Sequence, residues 1–137
     1  MSVPGVALAY GNLSIQPPTG SSGNVAKVSI DPTTNNVNVS LNGQTDSFSA
    51  SQVSSITYMG GSGGGDTFEN DTNLVSLDYG FGAGNNFSGS TSYNFVYFFG
   101  AGNTYSAPDG SFSDVQEIGG GDTVNASPAA AVATYVY

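Results

Sequence analysis

The sequence predicts an all-β fold: N-terminal strands and a hairpin that lead into a short parallel β-solenoid of about four coils. Three observations predict it. Gly-rich corners recur at a nearly constant interval, apolar residues alternate with polar ones between the corners, and no stretch carries apolar residues at the three-and-four spacing of an amphipathic helix. With 137 residues and no cysteine, the chain can bury one modest core without covalent staples.

Residues 1–20 read as an N-terminal strand and linker. Val6, Leu8 and Tyr10 alternate with small residues, apolar character runs on to Ile15, and Pro17-Pro18-Thr19-Gly20 then breaks the pattern. The prolines and the glycines at 20 and 23 detach this strand, which makes it a possible donor to a neighbouring molecule. Residues 21–52 read as a β-hairpin lead-in. Val25, Val28 and Ile30 precede the turn Asp31-Pro32-Thr33-Thr34-Asn35-Asn36; Val37, Val39 and Leu41 then alternate strictly with polar residues, and Asn42-Gly43 supplies a second tight turn before Phe48.

Residues 53–127 hold the repeats. Their cores are Gly63-Gly64-Gly65-Asp66-Thr67-Phe68, Gly82-Ala83-Gly84-Asn85-Asn86-Phe87, Gly100-Ala101-Gly102-Asn103-Thr104-Tyr105 and Gly119-Gly120-Gly121-Asp122-Thr123-Val124, with the Asp or Asn anchors 19, 18 and 19 residues apart (66 to 85, 85 to 103, 103 to 122). An apolar stretch precedes each corner, and an aromatic or β-branched residue follows two positions after each anchor. Each unit therefore supplies two strands and two turns, and stacking at about 4.8 Å places Phe68, Phe87, Tyr105 and Val124 in one inward column. Gly64, Gly82, Gly100 and Gly119 let carbonyls approach at the corner, where Asp66, Asn85, Asn103 and Asp122 add side-chain oxygen. Such a groove is a Ca2+ site in outline. Opposite turns carry Asp71 and Asp109 as further oxygen donors. The run Phe95-Val96-Tyr97-Phe98-Phe99 could form a sticky or carbohydrate-stacking surface, but alternation sends about half of it into the core, and core packing is the reading preferred. Residues 128–137 form a C-terminal tail or capping strand.

Charge and composition narrow the function. Ten acidic residues face one base, Lys27, for a formal charge of −9, so the chain cannot neutralise phosphates and nucleic acid is excluded as a partner. Divalent cations are the natural counterions of such a surface. Without His or Cys, the chain cannot build a Ser-His-Asp or Cys-His site or a zinc centre, and the expectation is a protein that is not an enzyme. No apolar run of about twenty residues is present, and neither membrane insertion nor an N-terminal Sec-type signal is expected.

The repeat cores resemble the repeats-in-toxin (RTX) family, whose nonapeptide Gly-Gly-x-Gly-x-Asp-x-apolar-x builds calcium-binding parallel β-rolls in proteins exported by type I secretion. The segment from Val37 to Gly43, with Phe48, Val53, Ile56 and Gly60-Gly61, is similar to the strand-rich lead-in found before such repeats in large bacterial surface proteins. The departures are one Gly-rich turn per 18 or 19 residues instead of two, neutral anchors at Asn85 and Asn103, and Ala83 and Ala101 where glycine is usual. The resemblance implies an extracellular or cell-surface bacterial protein and a tail compatible with a C-terminal export signal. The expected function is a secreted, self-assembling filament, matrix or surface-layer subunit with calcium-stabilised repeats, its copies joined by head-to-tail strand pairing. The alternative is a monomeric calcium-binding, adhesin-like or glycan-binding module.

Overall fold

A computed structural model describes residues 2–137 and places fourteen strands in them. In chain order these are β1 (Val6–Ala9), β2 (Asn12–Ile15), β3 (Val25–Asp31), β4 (Asn36–Leu41), β5 (Gln44–Ser49), β6 (Ser55–Met59), β7 (Thr67–Asp71), β8 (Val75–Phe81), β9 (Asn86–Ser88), β10 (Tyr93–Phe99), β11 (Thr104–Ala107), β12 (Phe112–Ile118), β13 (Thr123–Ala126) and β14 (Ala131–Val136). Two sheets of seven face each other. Sheet I has the order β1-β2-β6-β8-β10-β12-β14, and sheet II the order β13-β11-β9-β7-β3-β4-β5.

Each Gly-rich repeat gives one strand to each sheet, so the four coils read from the sequence are β6/β7, β8/β9, β10/β11 and β12/β13. All their neighbours are parallel and in register. The inward column is there: Phe68 lies opposite Phe87, Phe87 opposite Tyr105 and Tyr105 opposite Val124. The three aromatic members are fully buried. Tyr58 stacks on Phe68 at 4.5 Å, and Phe87 meets both rings edge-on, an arrangement favoured by the ring quadrupole. Gly80 makes room for this packing, because a Cβ there would lie 2.7 Å from the Phe98 ring.

The N-terminal region departs from the sequence reading. Residues 6–15 are two strands, not one: Tyr10 (φ 50°) and Gly11 (φ 80°) form a tight turn, β1 pairs antiparallel with β2, and β2 pairs parallel with β6. The supposed donor strand is thus paired within its own chain. The Pro17-Pro18 segment is a corner that carries the chain from β2 in sheet I to β3 in sheet II, where β3 pairs parallel with β7. β2 and β3 therefore add a further coil, into which the β4–β5 hairpin is inserted before the repeats continue. Val28, Val37, Val39 and Leu41 extend the core under that hairpin. At the other end β14 pairs parallel with β12 and continues sheet I, the strand alternative for the tail.

Candidate functional site: an axial Asn/Asp ladder and an aromatic face

The four anchors stack along one edge of the coil with their side chains turned inward. Asp66, Asn85 and Asn103 are at most 1% exposed. The Asp66 backbone N–H donates to Asn85 Oδ1 (3.0 Å), the Asn85 N–H and Nδ2 both donate to Asn103 Oδ1 (2.9 and 2.8 Å), and the Asn103 N–H and Nδ2 both donate to Asp122 Oδ1 (2.8 and 2.9 Å). The ladder begins earlier than the repeats. Asn24 donates through its N–H and Nδ2 to Asp66 Oδ1 (2.8 and 2.9 Å), and Asn42 Nδ2 donates to Asn24 Oδ1 (2.9 Å). Six side chains thus satisfy the polar groups that stacked corners would otherwise bury unpaired.

The choice of Asp or Asn follows from what the second side-chain atom meets. At 66 it faces donors, the Gly61 N–H (2.7 Å) and the Tyr58 hydroxyl (3.2 Å), and an oxygen fits. At 85 and 103 it faces carbonyls, Phe81 (3.0 Å) and Gly100 (3.0 Å), and an amide nitrogen fits. The neutral anchors are therefore required by the corner.

The ten residues expected as oxygen donors for Ca2+ fall at two edges of the coil. Gly64, Gly82, Gly100 and Gly119 do stack: a Cβ on Gly100 would lie 2.3 Å from the Gly82 carbonyl oxygen, and one on Gly119 3.2 Å from the Gly100 carbonyl carbon. Asp66, Asn85, Asn103 and Asp122 line the same edge, where Oδ1 of each accepts N–H bonds inside the coil. Asp71 and Asp109 are exposed at the opposite edge, apart from the anchors, and Asp109 Oδ1 accepts the Ala129 N–H (3.2 Å). Among the described residues no three His, Cys, Asp or Glu side chains gather as a metal-holding group.

Sequence reasoning missed three features. Asn24 belongs to the ladder, and its signal was the string Gly23-Asn24-Val25-Ala26, which repeats the Gly-anchor-x-apolar pattern; the inserted hairpin stretches the interval to Asp66 to 42 residues and hides the period. Asp78 is the second. It is wholly buried on β8 opposite Tyr58, with Ser76 Oγ donating to Oδ1 (2.6 Å) and Oδ2 without a partner. Burial pushes its carboxyl up to about 7 and, together with charge on Asp66 and Asp78, pushes the Tyr58 phenol up as well. Near the other end, partial desolvation and the nearby Asp122 raise the Glu117 carboxyl.

The third feature is the outer face of sheet I. Tyr79 stacks on Tyr97 at 5.2 Å, Phe81 on Phe99 at 5.3 Å and Tyr93 on Phe112 at 5.1 Å, all on the solvent side. As alternation required, Val96 and Phe98 go to the core while Phe95 and Phe99 stay 38% exposed. Sheet II presents the opposite chemistry, with Thr67, Asn86, Thr104 and Thr123 in one outward row and Glu69, Ser88, Ser106 and Asn125 in the next. A shallow hollow of about 390 Å³ beside it is lined by Ser88, Ser106, Asn125 and Ser127 and has no titratable side chain.

Comparison with protein-family models, curated proteins and solved structures finds no match to this chain. Its functional reading rests on the geometry described above. No helix of the described residues is long and apolar enough to cross a membrane.

Proposed function

We propose that the chain is a structural module of the bacterial exterior, a self-associating subunit of a filament, matrix or surface layer. The observation that supports it most directly is the axial ladder. Hydrogen bonds to the corner side chains run from coil to coil through Asn24, Asp66, Asn85, Asn103 and Asp122, in parallel with the backbone ladders of two sheets. This construction resists bending and shear between coils, because each coil is tied to the next at three places: two strands and one corner. It also leaves two flat outer faces of contrasting chemistry. The extracellular setting comes from the RTX resemblance of the corners.

Negative-stain imaging of the purified chain over a concentration series, with calcium and with a chelator, tests the reading. Ordered filaments, ribbons or sheets are expected; dispersed single particles at every concentration would overturn it. A second reading, a monomeric glycan-binding module, draws on the hydroxyl- and amide-lined hollow at Ser88, Ser106 and Asn125. Binding on a glycan array by a chain that stays monomeric would favour it.

A further inference from the structure

Sheet I carries a flat, ridged and nearly uncharged surface on a molecule of formal charge −9. Its outward residues lie in register from strand to strand. One row runs Met59, Tyr79, Tyr97, Gln116, Tyr135, and the adjacent one runs Thr57, Leu77, Phe95, Asp114, Ala133. Asp114 is the sole acid in the rows from β6 to β14. The other nine lie elsewhere: Asp66, Asp78 and Glu117 inside the coil, Asp122 at the corner, Glu69 and Asp71 on β7 of sheet II, Asp31 at the end of β3, Asp46 on the inserted hairpin, and Asp109 in a turn. Tyr93, Phe95, Phe99, Phe112 and Ile118 remain between 38% and 53% exposed.

We propose that this face packs against the same face of a second copy, related by a two-fold axis, to give a four-layered β-sandwich. The inference rests on the reading of the chain as a self-associating module and names the surface used. Three features of the face select a second copy. The first is ring orientation. Tyr79 and Tyr97 lie within 16° of parallel, and Phe81 and Phe99 within 11°, so the ring faces are turned toward one another and the edges outward. A sugar stacks on ring faces, whereas protruding edges interdigitate with side chains of a facing sheet. The second is spacing. Ridges about 4.8 Å apart along the axis and about 7 Å apart along the strands are best complemented by a surface with the same two repeats. A second copy has it. The third is area and charge. The five strands β6, β8, β10, β12 and β14 have 5, 7, 7, 7 and 6 residues and cover about 500 Å² per copy, so pairing removes about 1,000 Å² from water in total, the size expected of a small specific interface. Through this face two acidic chains approach with nine of their ten acids directed elsewhere.

The test combines sedimentation with cysteine crosslinking. Wild type should sediment as a dimer or larger species at about 10–100 μM, and Tyr97→Glu with Phe99→Glu should weaken association at least about tenfold. Because the chain has no Cys, Phe95→Cys places a single thiol at the centre of the face, and oxidation should give a disulfide dimer, while Ser88→Cys on sheet II should not. The crosslink keeps the proposal open to refutation if the double variant fails to fold. Association that persists through the double variant, with no Phe95→Cys crosslink, would overturn the interface and leave self-association by another surface. A monomeric wild type at all concentrations would overturn the underlying reading as well. A monomer that binds oligosaccharides and loses them on Tyr97→Ser would assign the face to a sugar and overturn the pairing.

Discussion

Replacing Asp78 by Asn should remove a pH dependence built into the core. Asp78 is fully buried, and one carboxyl oxygen accepts from Ser76 Oγ while the other has no partner. Its surroundings hold no cation: Tyr58 on β6 and Val96 on β10 are its register partners, and Tyr105, whose hydroxyl pairs with Ser113 Oγ at 2.8 Å, lies within reach of its charge. The ordinary carboxyl value of 3.8 rises to about 7 because burial disfavours the anion, so the folded chain holds a proton that the unfolded chain releases. Between those two values the folded state binds more protons, and stability must fall as pH rises, by about 1.4 kcal/mol per pH unit, then level off above the folded value. From about pH 5 to pH 8 wild type should lose about 2–3 kcal/mol. No His titrates in the window, and burial pushes both neighbouring phenols up, away from it; Glu117, whose carboxyl is also raised, is present in both proteins and cancels in their difference. An Asn at 78 keeps the acceptor for Ser76 and places an uncharged group where Oδ2 stood. Urea unfolding followed by far-ultraviolet circular dichroism at several pH values reads the effect. Near pH 5 the variant should lie within about 1 kcal/mol of wild type, and near pH 8 it should be more stable by about 2–4 kcal/mol. Equal slopes for the two proteins would refute the reasoning.

Other consequences follow from the corners and the glycines. Asn85→Asp sets a carboxylate against the Phe81 carbonyl and Asn103 Oδ1 and should cost about 2–4 kcal/mol at neutral pH, measured by the same urea titration; an unchanged midpoint would remove the ladder from the account. Two glycine replacements separate packing from backbone strain. In Gly89→Ala the new Cβ would sit 2.0 Å from the Tyr105 hydroxyl, for a loss of about 2–3 kcal/mol, whereas Gly84→Ala meets nothing within 4 Å and should cost only the left-handed penalty at φ +76°, about 1 kcal/mol; melting temperatures in the reverse order would contradict this assignment. Chelation should leave the β signal unchanged, since the anchor oxygens accept N–H bonds within the coil. Loss of that signal with a chelator and recovery with calcium would show instead that the corners depend on the ion.

Repetition and alternation determined most of this fold from the sequence. The period between Asp66, Asn85, Asn103 and Asp122 sets the coils, and the parity of Phe68, Phe87 and Tyr105 with their neighbours sets which side chains enter the core, because a strand has no freedom to reassign its two faces. Local turn chemistry was legible where it used its usual residues, as at Asn42-Gly43. It was hidden at Tyr10-Gly11, where a strand-favouring Tyr occupies a left-handed position and makes one hairpin resemble a single strand.

Tertiary structure decided the chemistry of the corner. An Asn or Asp beside glycines carries oxygen that could face an ion outside or N–H groups inside, and composition is the same in both cases. Only the stacking of coils reveals that Asn24 aligns with Asp66 across an inserted hairpin, that the second atom of Asp66 meets donors while those of Asn85 and Asn103 meet carbonyls, and that Asp78 lies between Tyr58 and Val96 without a counter-charge. The Asn24–Asp66 contact and the Asp78 surroundings join residues distant in sequence. Their partners are fixed by the pitch of the coil, which no single repeat contains.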